Sequence, residues 1–231
     1  MDNIIIYFQE GAAYETVISA DTLISSIEEF HDLEFKKKPQ LYLFRDSISY
    51  ICLSPSKARF CTFPNSRIFL TPWALEESND GEISLDIYLR HELSHSIIFQ
   101  NTRLAGALKF PDWLLEGIAV YCSEQMGTGN YPGKDMVYEL IARGNYMHPS
   151  DYKSKNEDKI ILDVPHRINF IYSEFACIID YLIEKYGREK FLNYIKGNIS
   201  GASHDTVFRE VYSIDFEIFL NDFMDFVSGN S

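Results

Sequence analysis

Two imidazoles four residues apart on an apolar helix face constrain this chain more than any other feature. His91-Glu92-Leu93-Ser94-His95 lies inside Glu82–Asn101, where Ile83, Ile87, His91, His95 and Ile98 share one stripe at helical spacing. Asn79-Asp80-Gly81 ahead of it supplies capping residues. On a 3.6-residue turn, positions i and i+4 stand one above the other. Both rings therefore project from one face, at a separation suited to a single metal ion. Glu92 is offset by one residue, which puts its carboxylate beside such an ion as a proton acceptor for water, not as a ligand.

A hydrolytic zinc site takes three protein ligands and keeps one position open, so two histidines need a third partner. Glu116 is the candidate. It is the carboxylate of an otherwise apolar helical turn and a half within Pro111–Tyr121, where an ionised side chain costs several kcal/mol, on the order of the burial penalty for ions, unless a cation pairs with it. The alternative is a glutamate that reaches the surface near a helix N-terminus, where acids are favoured. Gly117 points to a close approach of two helices, since glycine inside a helix costs about 1 kcal/mol relative to alanine and tight packing offsets that loss.

The other elements frame this helix. Asn3–Phe8 reads as a strand, Ala20–His31 as a helix with Leu23, Ile24, Ile27 and Phe30 in register, and Leu41–Phe44 as a short strand. Ser47–Leu53 and Ala58–Phe63 fit either strand or helix. Arg67–Leu70, between Pro64 and Pro72, reads as a strand near a sheet edge. Beyond Glu82 the chain is helical: Asp112–Glu124 with Asp112 as N-cap, Lys134–Arg143, Ile168–Tyr186 ending at Gly187, Arg188–Lys196, Ser203–Val211 and Asp215–Val227. Met147–Lys159 is polar without an apolar period and reads as a long mobile loop. The expected fold class is α+β, a small N-terminal mixed sheet with a metal-carrying helix and a mainly helical C-terminal part. We expect one domain over residues 1–231, with an α/β subregion at 1–80 and a helical subregion at 81–231 carrying the site.

Composition narrows the partners. In 231 residues there are 21 Lys and Arg against 34 Asp and Glu, a formal net charge of −13, which repels phosphate backbones and anionic lipid heads. Neither nucleic acid nor membrane insertion is expected. No apolar run approaches the roughly 20 residues that span a bilayer, and none at the start resembles a signal-peptide core. Cys52, Cys61, Cys122 and Cys177 form no CxxC pair and are expected as reduced thiols. These points favour a cytoplasmic protein, or a secreted one if an export signal has been removed. His31, His148, His166 and His204 read as surface or capped histidines, Lys36–Lys38 as a solvated turn, and Ser173 and Cys177 lack a partnering base.

HELSH followed by the glutamate of PDWLLEGIAVY resembles the gluzincin metallopeptidases, and most closely the compact bacterial peptidase MA-like group, in which HExxH pairs with P-x-W-x-x-E-G-x-A. The likeness covers roughly Arg67 to Gly187. It implies a zincin-like fold, Zn2+ held by His91, His95 and Glu116, Glu92 as general base, and a peptide or protein substrate. It also implies a tyrosine on a later helix that donates a hydrogen bond to the oxyanion; Tyr172 matches best and Tyr121 is the reserve. Chain order in the family makes Arg67–Leu70 the edge strand that receives an extended peptide. Two departures stand out. Thermolysin-type relatives carry an Asp four residues after the ligand glutamate, where this chain has Val120, and no GxMEN-like exopeptidase segment precedes His91, which favours an endopeptidase. The rival reading is a catalytically weak or inactive zincin-fold protein that binds peptides or regulates a partner. An intact Glu92 argues against it, because a purely structural metal site has no use for a carboxylate there.

Overall fold

Short strands alternating with helices in the first hundred residues build a sheet of mixed direction, and the rest of the chain is helical. The protein is described by a computed structural model covering residues 3–12, 17, 19–54, 58–107 and 109–229. Its class is α+β. The chain divides into two compact units, Met1–Leu104 and Ala105–Ser231.

The first unit runs β1 (Ile5–Phe8), α1 (Ala20–His31), β2 (Gln40–Leu43), α2 (Ser47–Leu53), β3 (Phe60–Thr62), β4 (Arg67–Leu70), α3 (Pro72–Asn79) and α4 (Leu85–Asn101). Among the described residues the strands lie in the order β1-β2-β4-β3. β2 is parallel to β1 and β4, and β3 is antiparallel to β4. A parallel pair needs a crossover long enough for a helix, and α1 supplies it between β1 and β2. Leu23, Ile24 and Ile27 form its buried face, and α1 packs on α4. Phe44, Tyr50 and Phe69 make a second apolar cluster, joined by Tyr42, Phe63 and Trp73.

Three features differ from, or add to, what the sequence leads one to expect. Arg67–Leu70 is interior, flanked by β2 and β3, and not at an edge. Pro64 falls in the turn before it and Pro72 opens α3, so neither removes a ladder N–H from the strand itself. With both sides paired, β4 has no edge to offer an extended peptide; β1 and β3 are the outer strands. Next, Pro72–Asn79 is a helix. Thr71 caps it through Oγ1, which accepts from Ala74 N at 3.1 Å, with proline at the first helical position. Third, α4 starts at Leu85, and Glu82 N instead bonds Glu77 O at 2.8 Å. Every residue from His91 to Ile98 is buried, so this half of α4 is enclosed on all sides and not along one stripe. Small, hydrogen-bonded side chains allow that: Ser94 Oγ lies 2.9 Å from Nε2 of the fully buried His31, whose Nδ1 bonds Ile27 O at 2.9 Å.

At the boundary lies α5 (Leu104–Ala107). The second unit continues with α6 (Asp112–Cys122), α7 (Lys134–Ala142), a 3-10 turn at Ser154–Lys159, α8 (Arg167–Tyr186), α9 (Arg188–Ile199), α10 (His204–Tyr212) and α11 (Phe216–Gly229). α8 is its centre, with α6, α7 and α9 packed against it. Its buried face includes Ile171, Phe175, Ile178 and Leu182, and it stops at Gly187 with φ +86°. Gly117 makes the expected close approach: a Cβ there would lie 2.8 Å from Ile179 Cδ1 and 3.0 Å from the backbone carbonyl carbon of Phe175. Trp113 stacks on Phe216 at 5.3 Å, and Phe208, Phe216 and Phe219 extend the ring cluster.

Asp112 is the first residue of α6 and not its N-cap, which is Pro111; its carboxylate accepts from Ser154 N at 2.9 Å and Ser154 Oγ at 3.0 Å. Nor is Met147–Lys159 a loose loop. Met147 N donates to both carboxylate oxygens of Glu174 at 3.1 and 3.2 Å, and the fully buried Tyr152 packs its ring on Phe175 at 4.9 Å. Single anchors like these have no period, so a polar sequence conceals them. Among the described residues, no helix is long and apolar enough to cross a membrane.

Candidate metal centre

Helical geometry brings His91 and His95 together as their spacing requires. Their Nε2 atoms are 3.0 Å apart, and the rings meet edge to face with centroids at 4.7 Å. Each residue is 6% exposed. Two imidazole nitrogens aimed at nearly one point, in a buried setting, match what a borderline dication selects. In the absence of an ion, the same contact needs one ring to donate and the other to accept.

Glu92 is 6% exposed and is held from outside the motif. Thr62 Oγ1 lies 2.6 Å from Glu92 Oε2 and 3.1 Å from the Glu92 carbonyl oxygen. Thr62 ends β3, where it pairs with Ile68, thirty positions before the glutamate in sequence. Periodicity within α4 could not reveal this partner. His31, expected at the surface or at a cap, instead braces the motif helix through Ser94.

In the second unit, Glu116 sits half-buried on α6 among Trp113, Leu114 and Ile118, which are essentially inaccessible. Its charge is felt by Tyr152, Tyr172 and Glu157. Glu157 was not singled out in the sequence; it lies in the 3-10 turn, and its Oε1 accepts from Tyr172 Oη at 2.9 Å and from Tyr152 Oη. Burial raises the Glu157 carboxyl above the usual range, and the two tyrosine hydroxyls oppose that shift. Burial, then the nearby Glu116 charge, push the Tyr172 phenol well above its ordinary value. Tyr121 faces Asp180: burial comes first and that carboxylate second in raising its phenol. Among the remaining histidines, His148 pairs with Glu217 at 3.1 Å, and burial lowers His204, which contacts Tyr194 Oη.

Comparison with known proteins bears on residues 86–229, which match the family model described as Peptidase MA superfamily. No curated protein and no solved structure matches the chain. The matched stretch is more than half of the chain, runs from the first turn of α4 into the last helix, and takes in both halves of the His-His-Glu pattern. That extent makes the chain a member of the Peptidase MA superfamily, a family of peptidases.

Proposed function

We propose that the chain is a zinc-dependent peptidase acting on internal peptide bonds, with His91, His95 and Glu116 as metal ligands and Glu92 as general base. The observation that carries this reading is the approach of His91 Nε2 to His95 Nε2, 3.0 Å, on the helix that also buries Glu92. Glu116, the half-buried carboxylate of α6, is the proposed third ligand. Two neutral imidazoles and one carboxylate leave a dication net positive, as a hydrolytic site needs and a thiolate shell would not allow. Zinc held this way supplies Lewis-acid polarisation of the peptide carbonyl and of the attacking water.

The remaining steps belong to the chain's own side chains. As the water oxygen bonds to the carbonyl carbon, Glu92 takes the proton; when the C–N bond breaks, Glu92 delivers it to the amine nitrogen. Tyr172 is the proposed donor to the oxyanion, exchanging Glu157 Oε1 for the developing charge. Tyr121 is the weaker choice, because its phenol is engaged by Asp180. The preference for internal bonds rests on the lack of an aminopeptidase-type Gly-rich motif before His91.

Metal analysis of wild type beside Glu92→Gln and Glu116→Ala, with cleavage of a random peptide library, tests the assignment. One zinc per chain is expected in wild type and Glu92→Gln, cleavage in wild type alone, and loss of zinc in Glu116→Ala. Cleavage by Glu92→Gln would reject it as base, and full zinc in Glu116→Ala would reject the third ligand.

A further inference from the structure

We propose that Thr62 is a positioning residue for the general base: its hydroxyl holds Glu92 Oε2 and thereby presents Oε1 to the attacking water. The inference rests on the peptidase reading above. A threonine hydroxyl has one proton, and two acceptors compete for it, Glu92 Oε2 at 2.6 Å and the Glu92 carbonyl oxygen at 3.1 Å. The carboxylate wins, because 2.6 Å is the length of a hydroxyl bond to an ionised oxygen and such bonds are about twice as strong as neutral ones. The carbonyl belongs to the interior of α4, where the helix ladder already uses it. A glutamate side chain has three torsions, and anchoring one oxygen removes most of that freedom before substrate arrives. The anchor itself is stiff. Thr62 is β-branched and closes a strand registered residue by residue on β4, so its hydroxyl cannot follow a wandering carboxylate. Glu92 is 6% exposed, so little water is available to take over the bond if the hydroxyl is removed.

The test uses the zinc-loaded full chain as wild type, Thr62→Val, Thr62→Ser and Glu92→Gln. For each, kcat and KM are read on a fluorogenic peptide chosen from the library cleavage, together with zinc stoichiometry and thermal midpoint. Thr62→Val keeps the shape and loses the hydroxyl, so kcat is expected to fall about 10- to 100-fold with KM within about twofold, the range for a lost bond to a charged group acting in the reaction itself. Zinc content should stay at one per chain, and Thr62→Ser should recover kcat to within about threefold of wild type, since it restores the donor. If Thr62→Val does not fold, Thr62→Ala supplies the same comparison. Wild-type kcat in the valine or alanine variant, or a serine variant no better than valine, overturns the proposal while an inactive Glu92→Gln leaves the peptidase reading standing. Absence of cleavage by wild type, or an active Glu92→Gln, overturns both.

Discussion

Replacing Gly117 by alanine adds one methyl where α6 meets α8, and two opposing effects set its outcome. Alanine is the better helix former by about 1 kcal/mol, so an exposed position would gain stability. Here the added Cβ would stand 2.8 Å from Ile179 Cδ1, 3.0 Å from Phe175 Cβ and 3.0 Å from the Phe175 carbonyl carbon. The Ile179 methyl can rotate away; the Phe175 backbone, in the middle of the central helix, cannot. Relief therefore requires α6 to move, and overpacking of that kind costs about 1–3 kcal/mol. Because the obstruction includes backbone, the upper half of that range applies, and subtracting the propensity gain leaves a net loss of about 1–2 kcal/mol. For a chain of this size that lowers the melting midpoint by roughly 2–8 °C. Thermal unfolding followed by far-ultraviolet circular dichroism, checked by urea titration, measures it. A midpoint that rises by the few degrees propensity alone would give refutes the close approach as the reason for glycine at this position.

Other substitutions probe other parts. Glu174 is fully buried and accepts from the Met147 N–H, and burial raises its carboxyl well above the ordinary value. A raised carboxyl favours the fold while protonated, so its contribution is complete below the unfolded value near 4.5 and is lost as pH climbs toward the folded one. Glu174→Gln should thus melt higher than wild type at pH 7, with the gap closing toward pH 4; a gap independent of pH would contradict the reasoning. Thr71→Ala removes the cap of α3 and should cost about 1 kcal/mol, read as a lower urea midpoint at unchanged slope. Tyr172→Phe should keep its zinc and lose kcat, while equal kcat would remove Tyr172 from the reaction.

Where a side chain's role follows from its own helix, the sequence was readable. α1 has the predicted bounds, α8 buries the predicted face and ends at Gly187, and the His91/His95 pair converges because i and i+4 must. Gly117 was legible for the same reason, as a local rule broken for a tertiary purpose. Strand order was not. The prolines beside Arg67–Leu70 mark its ends and carry no information about its neighbours, and only pairing with β2 and β3 decides that it is interior. Partners distant in sequence were equally hidden: Thr62 on Glu92, His31 on Ser94, and Glu157 on Tyr172 each join elements that no periodicity relates. A single buried stripe on α4 was expected because apolar spacing shows one face, whereas enclosure on all sides depends on what the other elements bring.

The two tryptophans fall one to each compact unit. Trp73 meets Tyr50 edge-on at 5.4 Å beside the sheet, while Trp113, 2% exposed, lies flat on Phe216 one turn before Glu116. The molecule thus comes with a native fluorophore in either half. Trp73→Phe leaves emission that reports the helical half, and Trp113→Phe leaves emission that reports the sheet-bearing half. Two overlaid denaturation traces would then reveal, without any attached dye, whether the halves come apart together or in sequence.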